Sequence, residues 1–157
     1  MQWKKGRGRL AVFEALIGSW ISESDSPRGP IKVVRTFSKT LGGKYIELQA
    51  SWQFNESHYD ELALFGVDDN KKLSFWSFTS DGKRSTGVIV EAKDIHPAAL
   101  AFQANMPAGV ARQAYWPDPD EGFHWAVESQ TKKGWNRFVE HHYLPVRSKA
   151  IGSKGSE

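Results

Sequence analysis

Residues 43–53, GKYIELQASWQ, show a two-residue periodicity that decides the fold class. From Ile46 to Trp52 every second side chain is apolar, and most of the side chains between them are polar. Because successive side chains of a strand point to opposite faces, this alternation predicts a β-strand with one face in a core and the other in water. Residues 121–130 repeat the pattern, with an apolar face made of Phe123, Trp125 and Val127.

Short polar turns separate further segments of this kind. Ser80-Asp81-Gly82 and Lys132-Lys133-Gly134 are two breakers of hairpin length. With no helix between the segments, the pattern predicts an antiparallel meander that closes on itself and so has no exposed edges. We therefore predict an all-β protein, a single antiparallel up-and-down barrel of about ten strands, with a short N-terminal helix at residues 9–17. The predicted strands are 19–25, 31–38, 43–53, 58–67, 71–78, 84–91, 98–105, 109–116, 121–130 and 134–144.

The size and charge of the chain point to one domain with basic ends. A chain of 157 residues fits a single domain. We assign residues 10–146 to the barrel, 1–9 to a basic, flexible segment and 147–157 to a flexible tail. The net charge of +3 comes from these ends, because the barrel region carries 14 basic and 17 acidic residues. We therefore expect no nucleic-acid partner.

The absence of cysteine excludes disulfides, thiolate metal ligands and a cysteine nucleophile. The first residues do not lead into the apolar region of a secretory signal. No apolar run approaches the about 18 residues that a membrane-spanning helix needs. We expect a cytoplasmic bacterial protein without a membrane span.

Several short motifs, taken in chain order, match a known group of barrels. Gly18-Ser19-Trp20 follows the predicted helix, Leu41-Gly42-Gly43-Lys44 forms a turn into a strand, and Leu73-Ser74-Phe75-Trp76 is an aromatic strand. In this set the chain resembles the calycin superfamily, and in particular bacterial lipocalin-like domains of uncharacterised function. The resemblance implies a barrel that holds a small, mostly apolar molecule. It also implies that Trp20 closes the barrel floor under a basic side chain of the last strand, for which Arg137 is the first candidate and Arg147 the second.

We expect the interior to bind a small apolar or amphipathic molecule, which can be anionic, with no catalysis and no metal site. The predicted ligand contacts are side chains on inward faces, namely Arg35, Trp52, Phe65, Arg112, Trp125, Trp135 and His141. The arginines allow two interpretations, because an unpaired buried charge is very costly. Either they pair inside the protein with a carboxylate such as Glu61, or one of them binds a ligand carboxylate, phosphate or enolate.

His141 and His142 raise the alternative of a haem site. Neighbouring strand residues face opposite sides of a sheet, so the two side chains cannot bind one ion. One of them is a candidate axial haem ligand, as in the related nitrobindin-type barrels, which also place a histidine late in the chain. The other interpretation is a histidine that is satisfied within the protein or faces solvent. Two further alternatives are a protein-interaction module with a filled barrel, and an isomerase or lyase that uses Glu61 or His141.

Large apolar side chains occupy both faces of segment 71–78, where Trp76 and Phe78 alternate with Phe75. Such a strand is covered by the N-terminal helix or forms a protein contact. We expect homodimerisation through this strand.

Overall fold

The computed structural model of the protein describes Trp3 and residues 7–147. Ten strands form one antiparallel sheet in which neighbours follow chain order, and the first strand pairs with the last to close a barrel. The all-β up-and-down barrel is confirmed, and every strand end lies within two residues of its predicted position. The strands are β1 (Gly18–Ser26), β2 (Gly29–Thr40), β3 (Tyr45–Gln53), β4 (His58–Val67), β5 (Leu73–Thr79), β6 (Arg84–Val90), β7 (Leu100–Met106), β8 (Gly109–Pro117), β9 (Phe123–Thr131) and β10 (Gly134–Pro145).

The predicted N-terminal helix is a short 3₁₀ helix, Ala11–Leu16, which fills one end of the barrel. Its Phe13 and Leu16 side chains are fully buried, and the Phe13 ring centroid lies 4.8 Å from that of Phe65. Trp20 on β1 donates a hydrogen bond from Nε1 to the Leu16 carbonyl oxygen at 2.8 Å, which ties the helix to the wall. We call this the closed end of the barrel.

The interior changes character along the barrel axis. On β3 the inward side chains are those of the predicted apolar face, from Ile46 to Trp52. Near the closed end the core is filled by large aromatic and aliphatic groups. Toward the opposite end, which we call the open end, the inward side chains include Glu61, Ser77 and Ala104, and the space between the walls is not filled.

The outer face of β7, β8 and β9 is buried as well. The connection at residues 91–99 folds over it, and Ala92 packs there beside Trp116 in a second hydrophobic cluster. The cluster also contains a row of paired alanines from the three strands, Ala101, Ala114 and Ala126. Strand β8 therefore buries side chains on both of its faces.

Strand β10 contains a β-bulge at Phe138. Arg137 and Val139 pair with Glu128 and Val127, which are consecutive on β9, so Phe138 is the additional residue. A bulge of one residue reverses which side chains face the interior. Before the bulge Trp135 and Arg137 face outward, whereas the inward residues after it are Val139, His141 and Tyr143.

Most of the two predicted end segments, residues 1, 2, 4–6 and 148–157, lies outside the described residues, so their flexibility stays a prediction. Trp3 is half-buried against the barrel core, and the Arg9 side chain donates a hydrogen bond to the Lys71 carbonyl oxygen. In the part of the chain that the structure describes, no helix is both long enough and apolar enough to cross a membrane.

The strand that is apolar on both faces is β5. Phe75 faces the core, whereas Phe78 and its cross-strand neighbour Leu62 are exposed on the outside of the barrel. The 3₁₀ helix lies in the closed end and does not cover them. Homodimerisation through this surface stays a prediction.

Candidate functional site

A cavity of about 580 Å³ occupies the open half of the barrel. Small-molecule sites commonly have volumes of roughly 300–1,000 Å³, so one ligand of that size fits. Most of the wall is apolar or aromatic, with a few polar groups among them. The lining includes Trp52, Tyr59, Glu61, Ser77, Phe102 and Trp125.

Arg35 on β2 is fully buried in the barrel interior, in register with Ala50 and the cavity-lining Glu61, and does not itself line the cavity. Its Nε donates a hydrogen bond to the Tyr143 hydroxyl at 2.9 Å, and its Nη1 donates to the Tyr115 hydroxyl at 3.1 Å. The guanidinium carbon lies 4.1 Å from the ring centroid of Trp125, a cation–π distance. Trp125 is thus a partner of Arg35 and also part of the cavity wall.

Arg35 forms no salt bridge or hydrogen bond with a carboxylate among the described residues, although the charge of Glu61 acts on it at longer range, and its Nη2 is buried without a hydrogen-bond acceptor. Glu61 lies on the same inward row, with Ala50 between the two. The Glu61 Oε2 instead accepts a hydrogen bond from Ser77 Oγ at 2.6 Å. Because arginine stays protonated in proteins, a positive charge with one nitrogen, Nη2, that lacks any acceptor remains buried behind the cavity-lining Trp125.

His141 is buried in the same region, with its ring centroid 5.0 Å from Trp52 and 5.4 Å from Trp125. Burial, followed by the positive charge of Arg35, lowers the pKa of His141 to about 4, so the imidazole is neutral at neutral pH. Its Nδ1 lies 3.1 Å from the Tyr143 hydroxyl. That hydroxyl already accepts from Arg35, and the tautomer that lets it donate its own proton to Nδ1 carries the imidazole proton on Nε2.

Two predicted ligand contacts, Arg112 and Trp135, have side chains on the outer face. Arg112 contributes to the rim of the cavity, but its Nε donates to Glu128 Oε1 at 2.8 Å and its Nη2 to Asp94 Oδ2 at 2.6 Å. The guanidinium carbon lies 4.1 Å from the ring centroid of Trp135. Arg137 joins the same network through Glu128 Oε2 at 2.9 Å. The predicted inward orientation of Arg112 and Trp135 is therefore wrong, and Arg112 is paired within the protein.

The predicted stacking of Arg137 on Trp20 is also wrong. The bulge at Phe138 turns Arg137 outward, where its guanidinium carbon lies 5.0 Å from the ring centroid of Trp116. Trp20 packs edge-on against Phe123, with ring centroids 4.9 Å apart. Trp20 therefore contributes to closing the barrel without a cation above it.

The other predicted contacts divide between the core and the cavity. Phe65 is fully buried at the closed end, where its ring packs against Phe102, so it belongs to the core. Trp52 and Trp125 line the cavity. Tyr115, whose hydroxyl accepts a hydrogen bond from Arg35, is not among the predicted residues, because the sequence predicts the face of β8 that carries Arg112 to be the inner one.

Comparison of the chain with protein-family models and with curated proteins finds no match to either. The ligand class therefore has to be inferred from the chemistry of the cavity.

Proposed function

We propose that the protein is a calycin-like barrel that binds, without catalysis, a small amphipathic molecule in its open half. The proposed ligand has an apolar body against Trp52 and Trp125 and an anionic or strongly accepting group directed at Arg35. The unsatisfied, buried Nη2 of Arg35 is the observation that carries this proposal.

The cost of an unpaired guanidinium supports an anionic group. Removing a charged group from water costs several kcal/mol unless an opposite charge or enough hydrogen bonds compensate. The hydroxyls of Tyr115 and Tyr143 provide only two acceptors for Arg35. A ligand carboxylate, phosphate or enolate would supply the missing acceptor through a charge-assisted hydrogen bond.

The surroundings of Arg35 support the same ligand polarity. In the hydrogen-bond network the neutral His141 carries its proton on Nε2, so it offers a second donor and no negative charge. The indole rings of Trp52 and Trp125 provide flat apolar surface next to these donors. One accepting group on a flat or aliphatic body therefore matches these donors, while the Glu61 carboxylate, which also lines the cavity, accepts from Ser77 Oγ.

Two fluorescent probes of similar shape test the proposal. 8-Anilinonaphthalene-1-sulfonate carries an anionic group, and N-phenyl-1-naphthylamine has the same rings without it. We expect Arg35→Met to weaken binding of the sulfonate by about tenfold or more, because a hydrogen bond to a charged group contributes about 1.5–3 kcal/mol. Binding of the neutral probe should stay near the wild-type affinity, which also reports that the variant retains its cavity.

Arg28→Met is the matched control, since it removes the same charge from the exposed β1–β2 turn. It should leave the affinity for both probes unchanged. Equal affinity of wild type and Arg35→Met for the sulfonate would contradict the proposal.

Haem remains the alternative ligand, and His141 is its candidate axial residue. His142 is on the outer face of β10, where its side chain is part-exposed, so it does not reach the cavity. His141 is neutral and interior, and because its Nδ1 is bonded to the Tyr143 hydroxyl, Nε2 is the nitrogen left for a ligand acceptor or for an iron ion. A Soret band on haem titration that disappears in His141→Phe would favour haem over the amphipathic anion.

A further inference from the structure

A second group of ionisable side chains lies outside the barrel, at the start of β9 and the end of β10. His124 and His142 are directly paired across these two strands and share the outer face. Asp118, in the β8–β9 turn, lies beside them. One possible ligand atom from each of the three side chains lies within 4.8 Å of the other two.

The three side chains are already held together without an ion. The imidazole rings of His124 and His142 are stacked, with centroids 4.5 Å apart and planes 15° from parallel. His124 Nε2 lies 2.7 Å from Asp118 Oδ1, and His142 Nε2 lies 3.7 Å from the same oxygen. His142 Nε2 also donates a hydrogen bond to the Glu121 carbonyl oxygen at 2.9 Å, a bond that it exchanges for the ion on binding. The His142 side chain is 42% exposed, so an ion in solution can reach the group.

Asp118 is fixed in the orientation that a metal ligand needs. Its Oδ2 accepts hydrogen bonds from the main-chain N–H groups of Asp120 and Glu121, at 2.9 and 3.2 Å. Its Oδ1 is thereby directed at the histidines, 2.7 Å from His124 Nε2.

We propose that Asp118, His124 and His142 form a binding site for a divalent transition-metal ion such as Zn²⁺. Two imidazoles and one carboxylate are a common ligand set for Zn²⁺ and similar ions, and they leave further positions for water. Mg²⁺ prefers oxygen ligands and should bind much more weakly. Neither histidine belongs to the barrel cavity, so the site is independent of the proposed ligand function.

The surroundings of His124 accommodate the change of tautomer that binding requires. Coordination through Nε2 moves the proton of the neutral ring to Nδ1, with no net loss of charge. In the metal-free structure Nδ1 of His124 is buried without a hydrogen-bond partner, and it lies 3.8 Å from Glu140 Oε2. Glu140 is thus placed to accept the Nδ1 proton, as carboxylates do behind metal-bound histidines.

Calorimetric titration of the untagged full chain with ZnCl₂ and MgCl₂ tests the site. We expect saturable binding of one equivalent of Zn²⁺ and none of Mg²⁺. At a hundredfold excess over Kd, zinc should raise Tm by about 5–10 °C, and a chelator should reverse the rise. Zinc should also shift the imidazole resonances of His124 and His142 in NMR spectra.

His142→Gln is the informative variant, because its exposed side chain can be replaced without disturbing the core. We expect it to weaken zinc binding at least about tenfold, and Glu140→Gln to weaken it less, as for partners behind a ligand. His58→Gln is the control, since His58 is an exposed histidine 3.4 Å from Asp60 that lacks a third ligand. The proposal is overturned if wild type shows no zinc heat and no Tm rise, if His142→Gln binds as tightly as wild type, or if His58→Gln abolishes binding.

Discussion

The neutral state of His141 leads to a quantitative prediction about acid stability. Burial and the charge of Arg35 lower the pKa of this imidazole from 6.5 to about 4. Below pH 6.5 the imidazole of His141 becomes protonated in the unfolded chain, whereas in the folded chain it becomes protonated only near pH 4. The free energy of unfolding therefore falls as the pH falls through this window. At 1.36 kcal/mol for each pH unit, His141 alone should remove about 3 kcal/mol.

The measurement is urea unfolding of wild type and His141→Phe, from neutral pH down to pH 4. Phenylalanine has a similar ring and no titrating group. We expect the difference in unfolding free energy between the two proteins to shift by about 3 kcal/mol in favour of the variant as the pH decreases. Val127→Ala, a change of another side chain that packs against the core, is the control. Its cost should be the same at each pH.

A difference between wild type and His141→Phe that stays constant with pH would refute this reasoning, since it would show that the folded imidazole titrates as it does in water. An NMR titration of His141 separates the two causes. In Arg35→Met the pKa of His141 should rise above about 4 but stay below 6.5, because burial is the larger cause and remains. An unchanged pKa in that variant would show that Arg35 has no electrostatic effect on His141.

Two further predictions concern the frame that holds the sites. Gly122→Ala should lower the unfolding free energy by more than the about 1–2 kcal/mol that a left-handed backbone costs. Its φ is +78°, and a Cβ there would lie 1.9 Å from a main-chain oxygen of β10. Gly134→Ala, where a Cβ meets nothing within 4 Å, should lose only that backbone cost, so similar Tm decreases for both would contradict the overlap. Arg112→Met should lose about 3 kcal/mol in urea unfolding, because buried Glu128 keeps only Arg137 as an ionic partner. Adding Glu128→Leu should recover most of that loss, and a double variant no more stable than the single one would disprove the pairing argument.

The fold was predictable because solvent lies on one side of most strands. In β3 the alternation from Ile46 to Trp52 follows from one dry and one wet face, and it identifies the inward residues correctly. In β8 the same rule fails, because the connection at 91–99 buries Ala114 and Trp116 on the outside. An apolar face then no longer means an inner face. Nothing local in the sequence of β8 shows that another segment covers it.

Single-residue changes of register explain the errors in the last strand. The extra residue Phe138 puts Arg137 on the opposite face from His141, although the two positions are separated by an even number. Similarly, the adjacency of His141 and His142 indicates that their side chains face opposite sides of the sheet, but it does not reveal the cross-strand neighbour of His142. That neighbour, His124, is determined by the pairing of β10 with β9, which only the folded sheet defines.

The two buried arginines show how structure and function can be told apart in such a barrel. Arg112 has two carboxylates and an indole around it, so its positive charge is compensated by neighbouring side chains of the protein. Arg35 is at least as deeply buried, yet it has two hydroxyls, one indole and an unused donor. Leaving that donor unsatisfied does not stabilise the fold, because an apolar side chain of similar volume would avoid the desolvation cost. The unsatisfied donor is explained if a molecule that enters the cavity provides its acceptor.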